Sequence, residues 1–281
     1  AKADRALYIQ YATSKGKEMM NIPLNTASTR AETLVKLPEN VSGFDTNGGE
    51  GAYRYQWYPA KGETATLMME DNWPEMGDYD FNDFVIWYHA QAIFFDGGNG
   101  SKDSYDADGV EFEITFRAMG GYLPYRLGLQ LDQTSARYID EVIEINGNNL
   151  VKMELQNPGE DAPAIFIFTG TDQLRKQNNG GTFYNTEADH QIAANDLVTI
   201  KYRLKMNCFN DKEKTKALWA TATSENQNFF LQKEKNGGRE IHLRGYEPTA
   251  YYSGSYAGEA GNNMRSDIKY CSTDNFVWGI K

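Results

Sequence analysis

The sequence predicts an all-β protein, a predominantly antiparallel, jelly-roll-like β-sandwich with few short helices. Three observations lead there: runs with a period of two, reversal signals at short spacing, and helical stretches that are few and brief. Gly109–Ala118 (GVEFEITFRA) sets Val110, Phe112, Ile114 and Phe116 against Glu111, Glu113, Thr115 and Arg117. Residues 197–206 repeat the pattern, with Val198, Ile200, Tyr202, Leu204 and Met206 opposed to Thr199, Lys201, Arg203 and Lys205. Side chains alternate across a strand, so each run reads as half-buried and antiparallel.

Turn chemistry separates the strands: NGG at 47–49, GGNG at 97–100, GG at 120–121, NGNN at 146–149, NNGG at 178–181 and NGG at 236–238. Less regular apolar runs place further strands at 52–58, 64–70, 83–95, 125–131, 141–145, 150–155, 163–168, 228–232, 239–243 and 275–280. Short helices are expected around 26–36, 171–177 and 211–217. No repeat or Pro/Ser-rich linker divides the chain. An N-terminal segment, 1–55, is less regular than the main domain, 56–281, and its packing on that domain stays open.

Composition narrows the function. The 281 residues carry 28 Lys and Arg against 39 Asp and Glu, a formal charge of −11. That surplus disfavours nucleic acid and anionic membranes, which reward a basic face. With 18 Tyr, 14 Phe and 5 Trp the chain can bury a substantial core. No apolar run reaches the length of a membrane-spanning helix. The opening residues AKADRALYIQY are not a secretion leader, so a leader or lipid anchor is expected to be absent from this chain. Cys208 and Cys271 are compatible with a disulfide or with two buried thiols. His89, His190 and His242 stand singly, and with no CxxC or HxxxH a structural zinc site is not expected.

The most informative stretch is residues 69–83, MEDNWPEMGDYDFND. Asp78, Asp80, Asn82 and Asp83 lie within six residues, with Glu70, Asp71 and Glu75 upstream. In an extended chain Asp78, Asp80 and Asn82 share one side and Tyr79 and Phe81 the other. Crowded carboxylates beside aromatic rings are costly unless a cation neutralises them. Calcium, with its six to eight oxygen ligands, suits this set, and zinc or copper would want His or Cys. The candidate ligands are Asp78, Asp80 and Asp83, with Asn82 and Asp71 in support, and Trp73 and Pro74 shaping the loop from outside. The pattern starts like an EF-hand loop but has Asp83 where that loop needs Gly and His89 where it needs Glu, so a β-hairpin site is expected. A solvated acidic turn is the alternative. Asp103, Asp106 and Asp108 form a weaker second candidate. At about 3.3 Å per residue the 83–95 strand separates the two clusters by roughly 40 Å.

The stretch EDNWPEMGDYDFNDFVIWY resembles the signature of the LruC-domain family, secreted or lipid-anchored proteins of gram-negative bacteria. The acidic pair Glu70 and Asp71, Trp73-Pro74, Gly77, Asp78 to Asp83 and the strand opened by Phe84 and Val85 carry the likeness. Residues 240–249, EIHLRGYEPT, are similar to the family's EIHLPGY-x-PT block, with Arg244 in place of Pro. Phe276-Val-Trp-Gly-Ile280 resembles its next landmark, more often Leu-Pro-Trp-Ala. The resemblance covers roughly residues 55–281. It implies a β-rich, extracytoplasmic protein, secreted or at the outer-membrane surface, and no settled biochemical function.

Three functions follow. The first is a non-catalytic, calcium-stabilised cell-surface or secreted module, adhesin-like or part of a surface structure, with a glycan or protein partner. The second is a carbohydrate-binding module using exposed Tyr and Trp, with Tyr251, Tyr252 and Tyr256 as contacts. The third is a glycoside hydrolase, for which no carboxylate pair stands out. No GxSxG, HExxH or phosphate-cradling loop is present, so an enzyme is not expected.

Overall fold

In the computed structural model the two alternating runs are neighbours: β6 (Gly109–Ala118) pairs antiparallel with β11 (Thr199–Lys205). Ile114 faces Ile200, Phe112 faces Tyr202 and Val110 faces Leu204, all buried. On the opposite face Glu111 lies between Lys201, 2.7 Å away, and Arg203. Burial alone would raise the Glu111 carboxyl, but these two cations hold it below the usual value. A depressed carboxyl stabilises the fold above its unfolded pKa and loses that contribution as acid protonates it. Glu111→Gln should therefore cost about 1–3 kcal/mol at pH 7. The difference from the parent chain should shrink as pH falls below 4.5, which urea unfolding at pH 7 and pH 3 would measure.

The structure describes residues 6–13, 16–23, 52–96, 107–233, 238–252 and 254–281. The chain divides into two units, residues 1–54 with 95–104 and residues 55–94 with 105–281. In the first, β1 (Ala6–Thr13) and β2 (Gly16–Pro23) form an antiparallel pair. Neither strand was among those expected from the sequence. Tyr8, Met19 and Met20 blur the polar half of the alternation, which is why it was not legible. The helix expected at 26–36 lies outside the described residues.

Two sheets make up the second unit. One runs β14 (Gly279–Ile280), β4 (Ala65–Met69), β5 (Phe84–Asp96), β6, β11 and β8 (Glu141–Asn146), and β3 (Ala52–Tyr58) also pairs with β5. The other runs β13 (Glu240–His242), β12 (Gln227–Lys233), β7 (Tyr125–Ser135), β10 (Pro163–Thr169) and β9 (Lys152–Leu155). The expected all-β, antiparallel sandwich is what forms. Leu127, Leu129 and Leu131 of β7, Phe166 and Phe168 of β10 and Phe229 and Leu231 of β12 face the core. There the Tyr88 ring of β5 meets Phe229 at 4.7 Å, and its hydroxyl donates to Gln227 Oε1. Each such buried aromatic contributes roughly 1.5–3 kcal/mol.

Helices are short, as expected. Both α1 (Thr171–Arg175) and α2 (Lys212–Thr221) fall where the sequence places them, and α2 is capped by the Asp211 side chain on Lys214 N. A third, α3 (Tyr256–Ala260), was not anticipated; Ser255 caps it in a stretch rich in Gly and Ser. The last strand is shorter than 275–280, because Asn275 at φ 66° turns the chain back so that Ser272 N donates to Phe276 O. Cys208 and Cys271 are free and buried, and burial beside Asp108 pushes the Cys208 thiol up to about 12.

Candidate metal centre

The acidic loop joins β4 to β5, and its two halves are held by different things. Glu70 and Asp71 leave the end of β4 buried, and Trp73 follows with 0% exposure. The Trp73 ring stacks on Tyr256 at 5.3 Å and leans on Tyr270 at 5.2 Å. Its carbonyl accepts from Arg239. Trp73 therefore shapes the loop from within the core, and the expectation that it does so from outside is corrected. Glu75 O accepts from the indole of Trp278, itself fully buried.

From Gly77 the backbone is not the extended strand used to assign sides. Gly77, Tyr79 and Phe81 all have positive φ, at 65°, 63° and 56°. For the two aromatic residues that conformation costs of order 1–3 kcal/mol each and persists only where surroundings enforce it. The Tyr79 hydroxyl donates to Val277 O and accepts from Val277 N, while its ring meets Phe81 and Phe276 edge-on. The aromatic side is thus fastened to residues 276–278, as a separation of the two sides requires.

The intervening acids gather elsewhere. Glu70, Asp78 and Asp80 each offer a carboxylate oxygen within 4.8 Å of the others. Oxygens bound to one calcium at about 2.3–2.6 Å can be at most about 5 Å apart, so a single ion fits the set. Glu70 Oε1 accepts from Phe81 N, but Oε2 is buried with no hydrogen-bond partner. Burial, followed by the charges of Asp78, Asp80 and Asp71, pushes this carboxyl up, against the Phe81 bond. A buried, unpaired carboxylate oxygen costs several kcal/mol unless a proton or a cation meets it.

Asp71 and Asp83 form a separate pair. Asp83 Oδ2 accepts from Asp71 N, which joins the two ends of the loop, while Asp71 Oδ2 accepts from Leu123 N and Asp83 O from Gly121 N. Burial pushes both carboxyls up, Asp83 to about 7. Gly120 and Gly121 permit this approach: a Cβ on Gly121 would sit 2.1 Å from Asp71 Oδ2, and one on Gly120 1.8 Å from Asn82 Oδ1. Asn82 donates through its backbone and side-chain nitrogens to Asp80.

Of the expected ligands, Asp78 and Asp80 thus stand together, Asn82 supports Asp80, and Asp71 and Asp83 lie alongside in their own pair. Glu70, not among those candidates, joins the trio. Its signal was that it ends a buried strand, where a carboxylate is out of place. In the second cluster Asp103 and Asp106 lie outside the described residues. Asp108 is buried and accepts from Cys208 N and Met206 N. It precedes Gly109, which pairs with Ile93 far along β5 from Asp83. Tyr251, Tyr252 and Tyr256 do not share one exposed face. Tyr251 is 43% exposed with its hydroxyl on Glu160, whereas Tyr256 packs on Trp73.

A family model described as "Domain of unknown function (DUF4842)" matches residues 107–281. The chain belongs to this family. The matched stretch holds Gly120 and Gly121, β13 and the Trp278 landmark, and begins after the acidic loop. A crystal structure from Bacteroides ovatus, named "Putative lipoprotein", superposes with a TM-score of 0.66 at 19% identity, covering 100% of this chain and 82% of that one. That likeness shows the shared fold. No curated protein matches. Among the described residues no helix is long and apolar enough to cross a membrane.

Proposed function

We propose that this member of a family of unknown function is a non-catalytic, extracytoplasmic surface module whose 70–83 loop is a calcium clasp. The observation that carries the reading is Glu70 Oε2, fully buried without a partner and within 4.8 Å of ligand atoms of Asp78 and Asp80. A divalent cation supplies the charge that this oxygen lacks. It also offsets the strain of two aromatic residues at positive φ. Hard oxygen donors without nitrogen or sulfur favour calcium over transition metals.

The resemblance to LruC-domain proteins supports location at the cell surface or beyond it. The three stretches that carry it meet around the loop: Trp278 on Glu75, Val277 on Tyr79, and Tyr270, which contacts Trp73, on the Glu240 carbonyl. One ion would then tie together the ends of the domain, as suits an adhesin or a subunit of a surface structure.

Thermal unfolding in EDTA and after calcium is returned tests this. An ion that binds only the folded state at a hundred times its Kd adds about 2.7 kcal/mol. For a chain of this size that raises the midpoint by roughly 5–10 °C. The Asp78→Ala/Asp80→Ala double variant should fold and show no rise. A parent chain indifferent to calcium would refute the proposal.

A further inference from the structure

The clasp is one-sided, and its open side faces a cleft. Resting on the calcium reading, we infer that the bound ion is completed by vicinal hydroxyls of a neutral saccharide whose ring lies against Tyr122. The cleft has a volume of about 410 Å³, within the range of small-molecule sites, and is lined by Asp78, Asp80, Asn82, Tyr122, Phe183 and Thr186 among others. Glu70 closes the ion's buried side. Three carboxylates, even with one bidentate, leave positions unfilled in the six to eight that calcium takes, and these face the cleft.

What fills them follows from the lining. Among the described residues no Lys or Arg lines this cleft, and its lining carries Asp71, Asp78, Asp80 and Asp83, with Arg175 near only Asp71 and Asp83 of these four, so a phosphate or carboxylate ligand would meet an excess of negative charge. Uncharged oxygen donors carry no such penalty. A pair of adjacent hydroxyls on a sugar ring chelates a single cation and replaces two waters. Tyr122 is 80% exposed, and its ring meets Phe183 edge-on at 4.8 Å, which holds an aromatic surface at the lip of the cleft. Such a face accepts the C–H side of a pyranose, and Asn82 and Thr186 present polar groups for remaining hydroxyls. This site is distinct from the loop of Tyr251, where one ring is exposed and another, Tyr256, is partly buried against the core.

Affinity electrophoresis through gels containing mannan, dextran, galactan or xylan, with calcium or EDTA, tests the inference, followed by a glycan array in calcium. Retardation by at least one polysaccharide is expected in calcium and none in EDTA. Tyr122→Ala should weaken retardation about tenfold while keeping the full calcium-induced rise in melting midpoint. No retardation and no array binding, in a chain that calcium does stabilise, would overturn the saccharide inference and leave the clasp standing. Retardation that survives EDTA, or that Tyr122→Ala leaves intact, would place glycan binding elsewhere and overturn it too. Absence of calcium stabilisation would instead remove the clasp on which it rests.

Discussion

Replacing Trp73 with alanine should destabilise the chain by about 3–5 kcal/mol and lower its melting midpoint by roughly 6–20 °C. The side chain is fully buried between Tyr256 and Tyr270, and Arg239 lies over its face. Truncation opens a cavity that those rings cannot close, because each has other commitments. The Tyr256 hydroxyl accepts from Tyr270 N and the Tyr270 hydroxyl donates to Glu240 O. The indole nitrogen has no hydrogen-bond partner, so Trp73→Phe gives up ring area but no bond and should cost less than half as much. Calorimetry on the two variants measures both. Equal losses would mean that the indole contributes something beyond packing. Since Trp73 also anchors the first half of the acidic loop, the alanine variant should need more calcium to reach its own maximum.

Glu70→Gln should have opposite effects with and without calcium. The two side chains have nearly the same shape, but glutamine carries no charge. Without the ion, the parent buries a carboxylate whose Oε2 has no partner. The exchange removes that penalty, and the variant should match the parent in EDTA or exceed it by about 1–3 kcal/mol. With calcium the order reverses, because the parent gains ion-binding energy that glutamine largely forfeits. A merely structural carboxylate would give the same sign in both conditions. Crossing of the two stability curves, followed by urea unfolding as calcium is varied, is the expected result.

The sandwich was legible because its central strands obey simple alternation. In β6 and β11 every apolar position faces the core, and a ladder of opposite charges covers the other side. Elsewhere the pattern hides. On β10 both faces are buried, since Ile165 and Ile167 pack with Phe230 outside the main core. A continuous apolar run marks such a strand without showing its orientation. The acidic loop was found from the crowding of its carboxylates along the sequence, and its division of labour was not. Spacing treats Asp71, Asp78, Asp80 and Asp83 alike, whereas the fold gives Asp71 and Asp83 to backbone amides and leaves Asp78 and Asp80 with Glu70. That division depends on positive φ at Tyr79 and Phe81, residue types that seldom adopt it, and on partners about 200 residues away at Val277 and Trp278. Glycines 120 and 121 read as an ordinary reversal. Their reason is close approach to Asn82 and Asp71, which only the assembled loop reveals.

The most direct measurement is isothermal titration of calcium into the EDTA-treated and dialysed chain, with Glu70→Gln in parallel. A clasp built on Glu70, Asp78 and Asp80 requires one ion bound per chain, with affinity at least tenfold weaker in the variant. No binding by the parent at millimolar calcium, or an unchanged isotherm in Glu70→Gln, would contradict it.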